Sequence, residues 1–108
     1  MPAGTDTLPT SAMQEDHVSM GWGAARKLRA SLANLTRIVA VEVVCAARGL
    51  DLRAPLTPGP GTAAAREALR EAVPGPGPDR WLAPELMRAE RSGGTVLARV
   101  EDAIGELA

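Results

Sequence analysis

The 108-residue chain is long enough for one domain with a modest hydrophobic core, because a chain of this size keeps a high ratio of surface to volume. With two Trp and no Phe or Tyr, it lacks most of the large side chains that dominate core burial. Its 12 basic and 13 acidic residues are interspersed and nearly cancel, which argues against a nucleic-acid or anionic-membrane partner, since both require a basic surface.

The first residues contain no basic segment followed by an apolar run, so no signal peptide is predicted and we expect a cytoplasmic protein. The longest apolar run, 38–47, is interrupted by Glu42 and is shorter than the roughly 20 residues that a membrane span needs. It therefore predicts a buried core helix. Cys45 lies in this run and, as the single cysteine, cannot form an internal disulfide, so it is predicted to be a small buried hydrophobe.

Residues 1–9 mix small, polar and helix-breaking side chains without a period, which predicts a loop that leads into one helical segment, 10–108. The first helix is predicted over about 12–48, with Ser11 as its N-cap and Gln14 as the second member of a capping box. At about 1.5 Å per residue, this helix would be about 55 Å long and would exceed the diameter of a compact domain of this size. We therefore expect it to be part of a larger helical bundle.

A heptad-like stripe of apolar residues runs along this helix at spacings of three and four: Ala25, Leu28, Leu32, Leu35, Val39 and Val43. After Ile38 the helix is apolar on nearly every side, which suits neither a two-stranded coiled coil nor a surface helix. The stripe is therefore interpreted as a core stripe of a larger bundle rather than as a free coiled coil. Gly49 is predicted to end the helix.

Three short helices are predicted to follow, separated by breaker-rich segments. The first covers 62–73, the second begins at Pro84 and ends near Ser92, and the last contains about ten residues after Gly93 and Gly94. No stretch alternates between apolar and polar residues over a useful length, so no sheet is predicted. The predicted fold class is all-α.

Four consecutive polar or ionisable side chains stand directly before the apolar helix face: Gln14, Glu15, Asp16 and His17. Such residues suit the lining of a site better than a packing surface. On the residues alone, a capping box also explains Gln14, and the helix dipole explains acids in a first turn. His17 has acidic neighbours, but adjacent helical residues point about 100° apart and no His-Glu-x-x-His or Cys/His set is present, so no metal site is predicted.

The segment 8–21, with the sequence LPTSAMQEDHVSMG, closely resembles a segment of the histidine ammonia-lyases. The resemblance continues along nearly the whole chain in shorter strings: AARK at 24–27, VEV at 41–43, LDLRAP at 50–55, DRWLAP at 79–84 and RSG at 91–93. Related lyases that act on phenylalanine or tyrosine carry Asn-Gln-Asp at the place of Gln14 and its neighbours. Glu-Asp-His in this chain therefore favours histidine as the substrate.

This resemblance implies the C-terminal part of a mostly helical, tetrameric enzyme that converts L-histidine to trans-urocanate and ammonia in active sites built from several subunits. It implies that Glu15 contacts the substrate and assists proton transfer at the β-carbon, with Gln14 beside it in the substrate-binding wall. The family's electrophile is a methylidene-imidazolone ring made from an internal Ala-Ser-Gly tripeptide. The 108 residues contain no such tripeptide, so we expect no cofactor in this chain and no lyase activity from it alone.

Two alternatives stay open at this point. One is a different amino-acid lyase or an aminomutase. The other is a non-catalytic helical module whose apolar stripe drives oligomerisation or binding to other lyase segments. On either interpretation we expect a homo-oligomer or an assembly with other lyase segments, and no nucleic-acid or membrane partner.

Overall fold

The computed structural model describes Ala12 and residues 18–107. These residues form three α-helices and no strand: α1 (Gly21–Leu52), α2 (Pro60–Ala72) and α3 (Ala83–Ile104). The all-α class and the long first helix are thus confirmed. Two helices follow α1 within the described residues, where three short ones were predicted, and the predicted loop 1–9 lies outside them.

The first helix is shifted towards the C-terminus relative to the predicted range of 12–48. Residues 18–20 are not helical, and the first turn begins where the Ala24 amide donates to the Met20 carbonyl at 3.1 Å. The Gly21 amide donates to the Ser19 hydroxyl at 3.3 Å, directly before the first turn. The predicted cap, Ser11, and its capping-box partner Gln14 lie outside the described residues.

At its other end α1 continues through Gly49 to Leu52, contrary to the predicted stop. A glycine inside a helix costs about 1 kcal/mol relative to alanine. This cost is offset because the extra turn carries Asp51, which binds two arginines of α2. The Arg53 amide then donates to the Leu50 carbonyl at 3.2 Å in the turn that closes the helix.

The predicted third and fourth helices form one continuous helix, α3, because Gly93 and Gly94 do not interrupt it. A Cβ added at either glycine would meet nothing within 4 Å, so neither is required for a turn or for close packing. Residues on both sides of the pair, Ala89 and Val96, belong to one hydrophobic core. Packing on both sides therefore outweighs the low helix propensity of two glycines.

The chain divides into two compact units, Met1–Leu35 and Thr36–Ala108. In the second unit, the C-terminal part of α1 packs with α2 and α3 around a small core. The buried residues of this core are Ala40, Ala47, Leu69, Val73 and Ala89, and the residues packed against it are Val43, Val44, Ala72 and Val96. Burying a Leu or Val side chain contributes about 1.5–3 kcal/mol, so Leu69 and Val73, each 1% exposed, dominate this core.

The buried face of α1 in the second unit differs from the predicted stripe by about one residue. Ala40 and Ala47 are buried, whereas Val39 is 47% exposed. Cys45 is also exposed, so its prediction as a buried hydrophobe was wrong. Small alanines occupy the most buried positions of α1, and Val43 and Val44 pack beside them.

In the described part of the first unit, residues 18–35, the predicted apolar stripe is exposed. Leu28 is 60% exposed, and Leu32 and Leu35 are each 54% exposed. Trp22, near the start of the helix, is 79% exposed. The described residues therefore leave this part of α1 uncovered, as expected for a helix of a larger bundle.

Among the described residues, α1 is long and apolar enough to cross a membrane by length and composition. The sequence analysis considered only the apolar run 38–47, which is too short to span a membrane, whereas the whole helix is longer. The core helix of a soluble bundle passes the same test, and Arg37 and Glu42 would each cost about 2.5–3.5 kcal/mol near the centre of a bilayer. The helix is therefore weak evidence for a membrane span.

Candidate active site

The residues predicted to form the site, Gln14 and Glu15, lie outside the described residues, as do Asp16 and His17. The structure therefore does not test their roles. It does describe the chain that follows them, and the start of α1 at Gly21 places that start six residues after Glu15. The first turn of α1 contains no acid, so the dipole of this helix does not explain the acids before it.

The described residues bring together a second charged cluster that the sequence analysis did not single out. Asp51, near the end of α1, accepts hydrogen bonds from Arg66 Nε at 2.6 Å and from an Arg70 terminal nitrogen at 2.5 Å. Its side chain is only 11% exposed. Arg66 and Arg70 are four residues apart on α2, so both point to the same face and can share one carboxylate. The four-residue spacing of these two arginines is the feature of the sequence that could have indicated the cluster.

A second ion pair holds the loop between α2 and α3. Arg80 donates from Nε to one oxygen of Glu85 at 2.5 Å and from a terminal nitrogen to the other at 3.1 Å. The same terminal nitrogen donates to the Gly75 carbonyl at 3.0 Å. Glu85 is buried in the first turn of α3, where the helix dipole also favours a negative charge.

Arginines also satisfy the carbonyls at the end of α2. Arg70 donates from its other terminal nitrogen to the Val73 and Pro74 carbonyls, both at 3.3 Å. Arg88 on α3 donates from Nε to the Ala72 carbonyl at 2.8 Å. These carbonyls have no partner within the helix, and a cation at a helix C-terminus is electrostatically favourable. The arginines therefore fix the loop that carries the DRWLAP string.

The pKa values of Asp51 and Glu85 are both lowered, but the main influence on each carboxylate differs. Burial raises the pKa of Asp51, but the hydrogen bonds and charges of Arg66 and Arg70 together outweigh it, so the pKa lies below its ordinary value. For Glu85 the hydrogen bond from Arg80 is the largest influence and lowers the pKa, against a smaller increase from burial. Both groups are therefore ionised at neutral pH.

Within 18–107, no three side chains of the His, Cys, Asp or Glu type are grouped so as to hold a metal ion. The Asp51 ion pairs join α1 to α2, and the Arg80–Glu85 pair joins the following loop to α3. They position the segment 50–85, and both of their carboxylates, Asp51 and Glu85, are occupied by arginines. The catalytic role predicted for Glu15 has no substitute among these residues.

Comparison with known proteins identifies the family. The model of the aromatic amino acid lyase family matches residues 1–71, which include the string at 8–21. The histidine ammonia-lyase of Streptomyces avermitilis is 53% identical over 111 residues, covering 100% of this chain and 22% of the relative. The histidine ammonia-lyase of Streptomyces griseus is 55% identical over 113 residues, covering 100% of this chain and 22% of the relative. The histidine ammonia-lyase of Vibrio cholerae is 53% identical over 88 residues, covering 82% of this chain and 17% of the relative.

The chain thus spans about a fifth of the length of the curated relatives it matches. The resemblance inferred from the string at 8–21 is confirmed by a family model that covers the string and by relatives that match the whole chain. The chain belongs to the aromatic amino acid lyase family.

Proposed function

We propose that this chain is the C-terminal part of a histidine ammonia-lyase, a cytoplasmic enzyme that converts L-histidine to trans-urocanate and ammonia. The observation that carries the proposal is the match over the full chain to relatives named histidine ammonia-lyase at 53–55% identity. The family model alone would also admit other aromatic amino acid lyases. No nucleic-acid or membrane partner is part of the proposal.

In this proposal Glu15 is the catalytic residue and Gln14 is its neighbour in the substrate-binding wall. A carboxylate can bind the ammonium or imidazole group of histidine through charge-assisted hydrogen bonds. It can also accept a proton when positioned within hydrogen-bond reach of the carbon that loses it. The lack of an acid in the first turn of α1 supports a role for Glu15 other than stabilising that helix.

In this proposal the second unit has a structural role and does not contact the substrate. Its helices are held together by the core around Leu69 and by the ion pairs that join Asp51 to α2.

The family's methylidene-imidazolone ring does not fit these 108 residues, because its Ala-Ser-Gly precursor is absent from them. The string at 91–93, Arg-Ser-Gly, lacks the alanine and lies inside α3. The ring would therefore be supplied by another part of the enzyme. The 108-residue chain alone is proposed to be inactive.

A chimera tests the proposal. This chain replaces the matching segment of the Streptomyces avermitilis enzyme, and urocanate formation from L-histidine is followed by ultraviolet absorbance. We expect an active chimera, and Glu15→Gln should lower its kcat by about 100-fold or more, as for the loss of a general acid or base. Glu67→Gln, on an exposed position of α2, is the matched control and should leave kcat unchanged.

Three results would count against the proposal. Full activity of the Glu15→Gln chimera would remove Glu15 from catalysis. A chimera that prefers phenylalanine or tyrosine would point to another lyase of the family. Urocanate formation by the purified 108-residue chain would refute its inactivity.

The exposed apolar stripe of α1 favours a second function, a helical module that assembles with itself or with other lyase segments. Leu28 and Leu35 are both more than half exposed, and a contiguous apolar helix face of this kind is typical of interaction surfaces. Light scattering of the purified chain should show a discrete oligomer that Leu28→Glu with Leu35→Glu converts to monomers. A molten or polydisperse aggregate would contradict this module.

A further inference from the structure

An apolar groove lies between α1 and the start of α3, within the second unit, and encloses about 510 Å³ including its mouth. Four apolar residues and one ion pair line it: Val41, Ala83, Leu86 and Met87, with Arg37 and Glu90 3.8 Å apart. Met87 is 56% exposed and Val41 is 41% exposed. The volume falls in the roughly 300–1,000 Å³ range of sites that hold small organic ligands, so the groove has room for one large side chain.

A large aromatic side chain, Trp81, stands next to this groove on a fixed backbone and is 80% exposed. Before it, Arg80 binds the Glu85 carboxylate through two nitrogens, at 2.5 and 3.1 Å. After it, the Leu82 carbonyl accepts the Glu85 amide at 2.9 Å in the first turn of α3. An indole has two side-chain torsions, so a Trp held between two fixed neighbours loses little conformational freedom when it is buried by a partner.

The exposed indole and the groove belong to one surface of the second unit. Trp81 is two residues from Ala83, which lines the groove, but Trp81 itself does not line it. A two-fold symmetric interface brings the same patch of two copies together. Each copy can then insert its indole into the groove of the other.

The charges around the two parts are complementary. Asp79, two residues before the indole, forms no hydrogen bond or ion pair with the part of the chain that the structure describes. Arg37 lies at the receiving groove, where its guanidinium can stack on an inserted indole and attract the acid beside it. The other charges next to the indole, Arg80 and Glu85, already neutralise each other.

The area of such a contact predicts a weak dimer. A buried Trp removes about 150–250 Å² of surface, so two of them supply about 300–500 Å² of the roughly 1,200 Å² at the lower end of specific interfaces. The exposed neighbours Met87 and Val41 of both copies add to it. Monomer and dimer should therefore both be present, in proportions that change with concentration.

We propose that this surface binds a second copy of the chain, with Trp81 of each copy inserted into the groove of the other. The contact uses only residues of the second unit. It depends neither on lyase activity nor on the exposed stripe of α1, so its failure would leave both of those proposals standing.

Sedimentation velocity of the full chain tests the proposal. The starting protein carries Leu28→Glu with Leu35→Glu, so that the stripe of α1 cannot contribute, and is measured from micromolar to millimolar concentration. We expect a monomer–dimer equilibrium. Trp81→Ala should weaken it by about 100-fold, because the dimer contains the contact twice and each loss of a buried Trp anchor costs about tenfold or more.

Trp22→Ala is the matched control, since Trp22 is 79% exposed and lies outside the second unit. It should leave the dissociation constant within twofold. Circular dichroism confirms that the variants keep their helices. A starting protein that stays monomeric at millimolar concentration, larger assemblies in place of a dimer, or equal weakening by both Trp variants would overturn the proposal.

A mixing experiment tests the exchange of side chains itself. Met87→Glu blocks the groove and keeps the indole, whereas Trp81→Ala removes the indole and keeps the groove. Each variant alone should be monomeric. Their mixture should form a heterodimer about tenfold tighter than either homodimer, because one indole again meets one open groove. A mixture that associates no better than its components would show that the indole does not enter the groove.

Discussion

The two ends of α1 carry similar apolar sequences but have different surroundings. In the second unit, Ala40 and Ala47 are buried against α2 and α3, and Asp51 joins the helix to α2 through two arginines. In the first unit, Leu28 and Leu35 are more than half exposed, although they are larger and more hydrophobic than alanine. Burial in this molecule therefore follows the availability of partner helices rather than the hydrophobicity of each residue.

This difference indicates which part of the described chain buries its own apolar surface. A helix whose large apolar side chains face solvent loses about 25 cal/mol for each Å² of apolar surface left uncovered. The second unit avoids this loss with alanines, two buried aliphatic side chains and paired charges. The stripe of the first unit can avoid it only with residues from outside the described chain, which agrees with a segment that spans about a fifth of its relatives.

The strongest test of this comparison truncates one leucine in each region. Leu69→Ala should lower the free energy of unfolding by about 3 kcal/mol, because Leu69 is 1% exposed and its loss leaves a cavity. Leu28→Ala, at a 60% exposed position, should change it by less than about 1 kcal/mol. Urea unfolding of the full chain, followed by circular dichroism, measures both. Equal losses would mean that the stripe is covered in solution.

The next largest effect should come from the ion pairs that hold the second unit together. Asp51→Asn should cost about 2 kcal/mol, because Arg66 and Arg70 lose a shared, mostly buried carboxylate. The control is Glu71→Gln, which removes the exposed pair of Glu71 and Arg99 and should cost at most about 1 kcal/mol. The same urea unfolding series measures both variants. A negligible loss in Asp51→Asn would show that the arginines find other partners.

Acid should weaken the second unit through the same carboxylates. The folded-state pKa values of Asp51 and Glu85 are lowered, so their contribution to stability is complete above the unfolded values of about 3.9 and 4.3. It is lost as the pH falls through the lower folded values. Urea midpoints measured between neutral pH and about pH 3 should therefore fall, and the fall should be smaller in Asp51→Asn. An identical fall in both proteins would assign the acid sensitivity to other groups.

The sequence predicted the class of the fold well and the ends of the helices less well. Apolar periodicity identified α1, because its period extends over many residues. It did not identify the start at Gly21, because the apolar period does not mark residues 18–20 as non-helical. The extension through Gly49 depends on Asp51 meeting α2, a contact between distant parts of the chain.

The candidate site was predicted from family resemblance rather than from local chemistry. The string around Glu15 is specific, and the family match that includes it is confirmed. The role of Glu15 itself stays a prediction, since that residue lies outside the described part of the chain. The ion pairs of Asp51 and Glu85 were not predicted, because their residues come from α1, α2, the following loop and α3 and are adjacent only after folding.

The smallest expected effect concerns Gly94, where the sequence predicted a break and the structure has a helix. Gly94→Ala should raise the free energy of unfolding by about 1 kcal/mol, because alanine favours the helical state and its Cβ meets nothing within 4 Å. Gly61→Ala is the contrasting change, since its Cβ would lie 3.1 Å from the side chain of Ile104 and should bring no such gain. Thermal unfolding of both variants measures the two changes. A destabilised Gly94→Ala would show that the glycine pair interrupts the helix in solution, and α3 would then be two helices, as the sequence pattern predicted.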